Sequence, residues 1–162
     1  MTDITRLCNW IAGTNASILI KDETWIIPAV QSIHILAIAA VMASIAMLNL
    51  RLAGLIGREQ SVQQMAHRFL PWTRRALPVL LVTGIIMITG EPARELLNRF
   101  FWAKMSMVVI VVSLTIPMQH LLEDKPFGAL PVAKRGTLRA LALISLALWL
   151  SIVFCGRWIA YA

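Results

Sequence analysis

The chain has 162 residues, 59% of them apolar and 14% charged, with a mean hydropathy of +0.75. Soluble domains run nearer about 45–50% apolar and about 25% charged. The composition therefore excludes an ordinary water-soluble enzyme, a disordered chain and a disulfide scaffold. The net charge of +7 does not point to nucleic acid, because the 15 Lys and Arg residues mostly fall between apolar runs.

Residues 1–24 lack the continuous apolar stretch of a signal peptide, since Asn9, Gly13 and Asn15 interrupt it. Ile4, Leu7, Cys8 and Ile11 fall on one helical face, with Trp10 beside it, and Ser17 stands where it would cap a second short turn running to Glu23. The segment reads as one or two short helices lying on a bilayer. Four apolar runs follow, near residues 25–50, 69–90, 101–122 and 138–159. Each is long enough to cross a hydrocarbon core, which takes about 20 residues. Period-two alternation is missing, so a barrel is not supported. The connections are short, about 18, 10 and 15 residues, which predicts antiparallel neighbours in an up-down bundle. The expected fold is thus all-α: one polytopic membrane domain, an antiparallel four-helix transmembrane bundle with short N-terminal interfacial helices. The first span carries small residues (Ala37, Ala39, Ala40, Ala43, Ser44, Ala46) suited to close helix approach in lipid. The third connection, with Pro126, Gly128, Pro131 and Gly136, is rich in turn formers.

Lys and Arg set the expected orientation. Nine (Arg51, Arg58, Arg68, Arg74, Arg75, Lys125, Lys134, Arg135, Arg139) lie on the side of the first and third connections, against six (Arg6, Lys21, Arg94, Arg99, Lys104, Arg157) on the other. The nine-residue side is expected in the cytoplasm of a bacterial cell, with both termini periplasmic. Trp25, Trp102 and Trp158 then anchor the outer interface and Trp72 the inner one.

Polar side chains inside the spans carry the functional reading. All eight acidic residues lie outside the apolar centres, which argues against an ion-coupled pump, paired-carboxylate catalysis and oxygen-rich metal sites. His34 sits about nine residues into the first span, roughly 12 Å deep at 1.5 Å per residue. It must either hydrogen-bond a Ser, Thr or carbonyl of a neighbouring helix or ligate haem iron. His120 closes the third span and is the second candidate ligand; His67 reads as an interfacial residue. One haem joining His34 and His120 meets a depth mismatch of about 15 Å, against about 4 Å between two axial nitrogens. Met87, Met105 and Met107 are alternative partners for His34, and His67 is one for His120. Lys104 and Arg157 near the outer ends, and Arg51, Arg74 and Arg75 near the inner ends, are candidates for pairing with propionates or for snorkelling to headgroups. Cys8 and Cys155 form no metal motif, and whether they pair is open.

The landmarks Trp25–Pro28, His34, Leu50–Gly54, Leu70–Trp72, Thr83–Gly84, Phe101–Lys104, His120 and Gly156–Ile159 resemble those of an uncharacterised family of four-helix bacterial inner-membrane proteins. A looser resemblance, through His34, Arg51, Lys104 and His120, is to membrane proteins of the protoporphyrinogen oxidase HemJ type and the copper-resistance CopD type. The HemJ likeness implies b-type haem. The leading expectation is an integral membrane haem b protein, an electron-transfer or quinone-interacting subunit of a larger complex or homo-oligomer. His34 and His120 are its candidate iron ligands, and Arg51, Lys104 and Arg157 its partners for propionates or a quinone headgroup. The alternatives are a non-catalytic anchor or assembly subunit without cofactor, and a protein handling copper or small solutes. Whether it is an enzyme is left open.

Overall fold

A computed structural model describes residues 3–57, 59–124, 127–159 and 161, with the side chains at 119–124 outside the description. The described chain is helical: α1 (Asp3–Ala12), α2 (Asn15–Asp22), α3 (Ile26–Ala53), α4 (Val62–Gly90), α5 (Pro92–Leu96), α6 (Arg99–Asp124) and α7 (Val132–Trp158), with a 3₁₀ turn at Phe127–Ala129. Four of these helices (α3, α4, α6 over Arg99–Met118, and α7) are long and apolar enough to span a membrane.

Two helices start earlier than their apolar runs. α4 begins at Val62, seven residues before Phe69, because Ser61 and Gln64 form a reciprocal cap: Gln64 N donates to Ser61 Oγ (3.0 Å) and Ser61 N to Gln64 Oε1 (2.9 Å). α7 begins at Val132, directly after Pro131, so Lys134, Arg135 and Gly136 are helical rather than part of a turn. At the N-terminus the cap of α2 is Thr14, not Ser17. Thr14 Oγ1 accepts from Ser17 N (3.3 Å), and Ser17 lies fully buried in the first turn. Of the small residues of α3, Ala37 and Ser44 are buried and Ala39 and Ala43 are exposed. Helical spacing spreads them round the axis, so they do not share one face.

α3 packs on α4 and α7, and α6 packs on α7, while α4 and α6 meet at few points. The expected pairing of consecutive spans therefore holds for the first and last pairs only. The second connection is not a bare turn: α5 sits between the Gly90 end of α4 and the Arg99 end of α6 and touches both; this end of the bundle is labelled outer, after the expected orientation, and the opposite end inner. The bundle is a ring with one loosened seam.

Two apolar clusters hold it. One, toward the inner end, gathers Leu48, Leu52, Val62, Met65, Met118, Leu138 and Ala142. The other, nearer the middle, gathers Val41, Ile45, Ala76, Val111, Trp149 and Ile152. Gly54 ends α3 at φ 81°, a left-handed conformation that lets Leu55 N reach Leu50 O (2.9 Å). At the outer end, Gly90 admits a close approach: a Cβ there would lie 2.6 Å from Ile27 Cδ1 and 2.9 Å from Ile20 Cγ2. α1, α2 and α5 cover this outer end, with Cys8 Sγ 3.6 Å from Pro92 O. Trp10, Trp25, Trp72, Trp102 and Trp158 are exposed, as tryptophans at a headgroup boundary are.

Candidate functional site

The outer half of the bundle holds a polar cluster built from three of the spans and α5. Its centre is His34 on α3, half-buried, on the helical face continued by buried Ala37, Val41 and Ile45. His34 Nδ1 lies 2.6 Å from Thr83 Oγ1 of α4. The Thr83 hydroxyl carries one hydrogen, and Val79 O, 2.6 Å away and one turn back, takes it. The hydroxyl therefore accepts from the ring, and Nδ1 is the protonated nitrogen. In the neutral ring this leaves a lone pair on Nε2, which has no partner among the described residues. The two readings of this histidine thus use different nitrogens: the Thr83 bond satisfies one, and the other remains available as a ligand. A hydrogen bond at the far nitrogen is how proteins commonly orient a ligating imidazole and fix its tautomer.

Gly84 of α4 lies beside the ring. A Cβ there would lie 3.9 Å from His34 Cε1. That is an ordinary contact distance, so the α4 backbone runs close beside the ring. Met87, one turn beyond Thr83 on α4, is half-buried, as is Met107 on α6, whereas Met105 is exposed.

Lys104 of α6 is half-buried. Its stem passes Gly156 of α7, whose absent Cβ would lie 3.7 Å from Lys104 Cδ, and its ammonium lies 5.7 Å from the centroid of the Phe101 ring. It is within electrostatic range of His34, Glu95 and Cys155. Glu95 had no place among the candidates, yet α5 tucks it in at 8% exposure. Burial pushes its carboxyl above the ordinary carboxylate range; Lys104 and Arg94 pull it back down and Glu91 adds to the rise. Nothing in the spacing of Pro92–Leu96 announces that burial, which comes from the wedging of α5 between two spans. Thr83 and Gly84, by contrast, stood among the landmarks without an assigned role.

The remaining candidates are not gathered here. Arg51 is 17 residues further along α3 than His34, about 25 Å at 1.5 Å per residue, and its Nε donates to Gln60 O (2.8 Å). Arg157 is exposed at the outer end, its guanidinium 4.9 Å over the Tyr161 ring and hydrogen-bonded to the Tyr161 hydroxyl. His120 lies in α6 sixteen residues beyond Lys104, about 24 Å toward the inner end; its side chain is outside the described residues. His67 is exposed near the start of α4. Arg74 and Arg75 are exposed on α4. Both cysteines are free thiols. No group of three or more His, Cys, Asp or Glu side chains is arranged as a metal site among the described residues.

The model of DUF6644, a family of unknown function, matches residues 15–162. The chain belongs to the DUF6644 family. The match leaves out only α1 and the turn after it, so the four spans and the His34–Thr83 pair of this DUF6644 member all lie inside the family region. No curated protein and no solved structure matches the chain.

Proposed function

We propose that this DUF6644 protein is a b-type haem protein of the bacterial inner membrane, an electron-transfer or quinone-interacting subunit with both termini periplasmic. The observation that carries the reading is the division of labour on His34: Nδ1 bound to Thr83 at 2.6 Å, Nε2 without a partner among the described residues. Haem, when bound, supplies one-electron exchange at its iron. The chain's own residues do the rest. Thr83 holds the ring in one tautomer and one orientation. Gly84 lets the α4 backbone run beside the ring with no side chain against Cε1. Lys104 brings a cation into the same outer cluster, where a propionate needs one. Met87 and Met107, both half-buried, carry the soft thioethers that would serve as a second iron ligand. The loose seam between α4 and α6 gives a lipid-soluble molecule a lateral approach.

The roles of the other candidates follow from their distances. Arg51 and His120 stand at the inner end and serve a separate site there, such as a quinone headgroup or a second ligand set, rather than the His34 site. Arg157, engaged with Tyr161, is a partner at the outer rim. The likeness to HemJ-type proteins rests, at this site, on His34 and Lys104.

A second reading has its own support. The Thr83 bond by itself is the partner that a buried structural imidazole requires, which suits a non-catalytic anchor subunit. Titration of purified protein with hemin separates the two. The haem reading expects saturable binding at one equivalent, lost in His34→Ala and weakened in Thr83→Val. The anchor reading expects the same weak, unsaturating uptake in all three proteins.

A further inference from the structure

The first connection, residues 54–61, joins α3 to α4 beside a cleft of about 540 Å³. α3 lines the cleft with Met47, the connection with Glu59 and Gln60, and α4 with Met65, Arg68 and Phe69. Local contacts fix its walls. Arg51 Nε donates to Gln60 O (2.8 Å), and the Ser61–Gln64 cap sets where α4 begins. Gly57, also in the lining, turns at φ 61°. It lies so close to α4 that a Cβ there would stand 2.6 Å from Met65 Cε.

The lining changes character along the bundle axis. Glu59 and Gln60 lie in the connection, beyond both helix ends. Met47 lies six residues before the end of α3, about 9 Å at 1.5 Å per residue, and Phe69 eight residues past Ser61, about 12 Å. Arg68 stands where α4 passes from a polar stretch into its apolar run, the depth at which long cations reach headgroups. Its Cζ lies 5.8 Å from the centroid of the Phe69 ring. Arg68 and Glu59 are both exposed, and neither has an ion-pair partner among the described residues. The cleft thus offers a carboxylate toward the connection, a guanidinium below it, and apolar side chains deeper still.

We propose that this cleft binds one phospholipid with a phosphoethanolamine headgroup. Arg68 takes the phosphate through paired N–H donors, Glu59 accepts from the ammonium, and Met47, Met65 and Phe69 meet the start of an acyl chain. The sequence of ammonium, phosphate and chain in such a lipid is the sequence of Glu59, Arg68 and the apolar side chains in the cleft. Charge excludes the other membrane occupants. A phosphoglycerol headgroup satisfies Arg68 but sets a second negative charge near Glu59 with no cation between them. A quinone carries no charge for either side chain. The site depends on neither haem nor orientation.

Native mass spectrometry of the delipidated full chain tests it, with phosphatidylethanolamine or phosphatidylglycerol of identical acyl chains added back. The parent is expected to retain one phosphatidylethanolamine several-fold better than phosphatidylglycerol. Glu59→Gln is expected to abolish that preference and Glu59→Asp to keep it. Arg68→Gln is expected to lower retention of both lipids. Asp22→Asn makes the same change in net charge as Glu59→Gln, at an exposed position on the other end of the bundle, and is expected to match the parent. Equal retention of the two lipids by the parent overturns the proposal, and is the result expected if a quinone or a second copy of the chain fills the cleft. A preference unchanged in Glu59→Gln, or retention unchanged in Arg68→Gln, overturns it as well.

Discussion

At the scale of single residues, the Thr83 hydroxyl decides what His34 can do. Its hydrogen goes to Val79 O, which compels the imidazole to donate from Nδ1. Thr83→Val keeps the shape and removes the acceptor, and loss of such an outer hydrogen bond typically weakens a metal ligand about 10–100-fold. Hemin affinity is expected to fall within that range while the far-ultraviolet circular dichroism is unchanged. Glu95 makes a separate prediction. Burial raises its carboxyl above the ordinary range, so the folded chain holds that proton more tightly than the unfolded chain does. The resulting stability is complete below the ordinary carboxylate range and is lost as pH climbs through the raised value of Glu95. Glu95→Gln is expected to flatten thermal unfolding midpoints across that window, measured in detergent from acid to neutral pH. A variant as pH-dependent as the parent contradicts the assignment. Neither residue's role was legible in the sequence. Thr83 lies 49 residues from His34, and the depth of Glu95 depends on how α5 packs rather than on what precedes or follows it.

At the scale of helices, sequence and structure agree where lipid imposes the rule. A span must be apolar along about 20 residues, so α3, α4, α6 and α7 can all be read from their runs. Their ends cannot, because polar caps and headgroup-level turns fix them. The Ser61–Gln64 box starts α4 among Gln, His and Arg residues, and Pro131 starts α7 among Lys and Arg. Ser61→Ala is expected to cost about 1 kcal/mol, seen as earlier amide exchange in the first turn of α4 with the rest of the helix unaffected. Gly90 is the stricter position. A side chain there meets Ile27 and Ile20 at less than 3 Å, and overpacking of this kind costs about 1–3 kcal/mol. Gly90→Val is expected to lower the unfolding midpoint and to loosen α2 from α4, read as faster proteolysis within residues 13–25. A midpoint equal to the parent's shows that the contact is slack.

At the scale of the whole molecule, the loosened seam between α4 and α6 gives the bundle its character. Short connections predicted a closed ring, and α5 is the reason it is open on one side. On the proposed orientation, which rests on the bias of nine basic residues against six, the Ser61 end is cytoplasmic. A single cysteine at Gln60, in a background lacking Cys8 and Cys155, is expected to react with an impermeant maleimide in inside-out vesicles and not in intact spheroplasts; the reverse pattern inverts the orientation. The proposal then puts the cluster of His34, Lys104 and Glu95 on the periplasmic side. The central claim is that the free nitrogen of His34 holds haem iron. The most direct measurement is the dithionite-reduced minus oxidised absorption spectrum of protein purified from haem-replete cells. The account predicts a Soret band and a sharp reduced α-band that disappear in His34→Ala. A flat visible spectrum in the parent protein, or bands of equal strength in the variant, contradicts it.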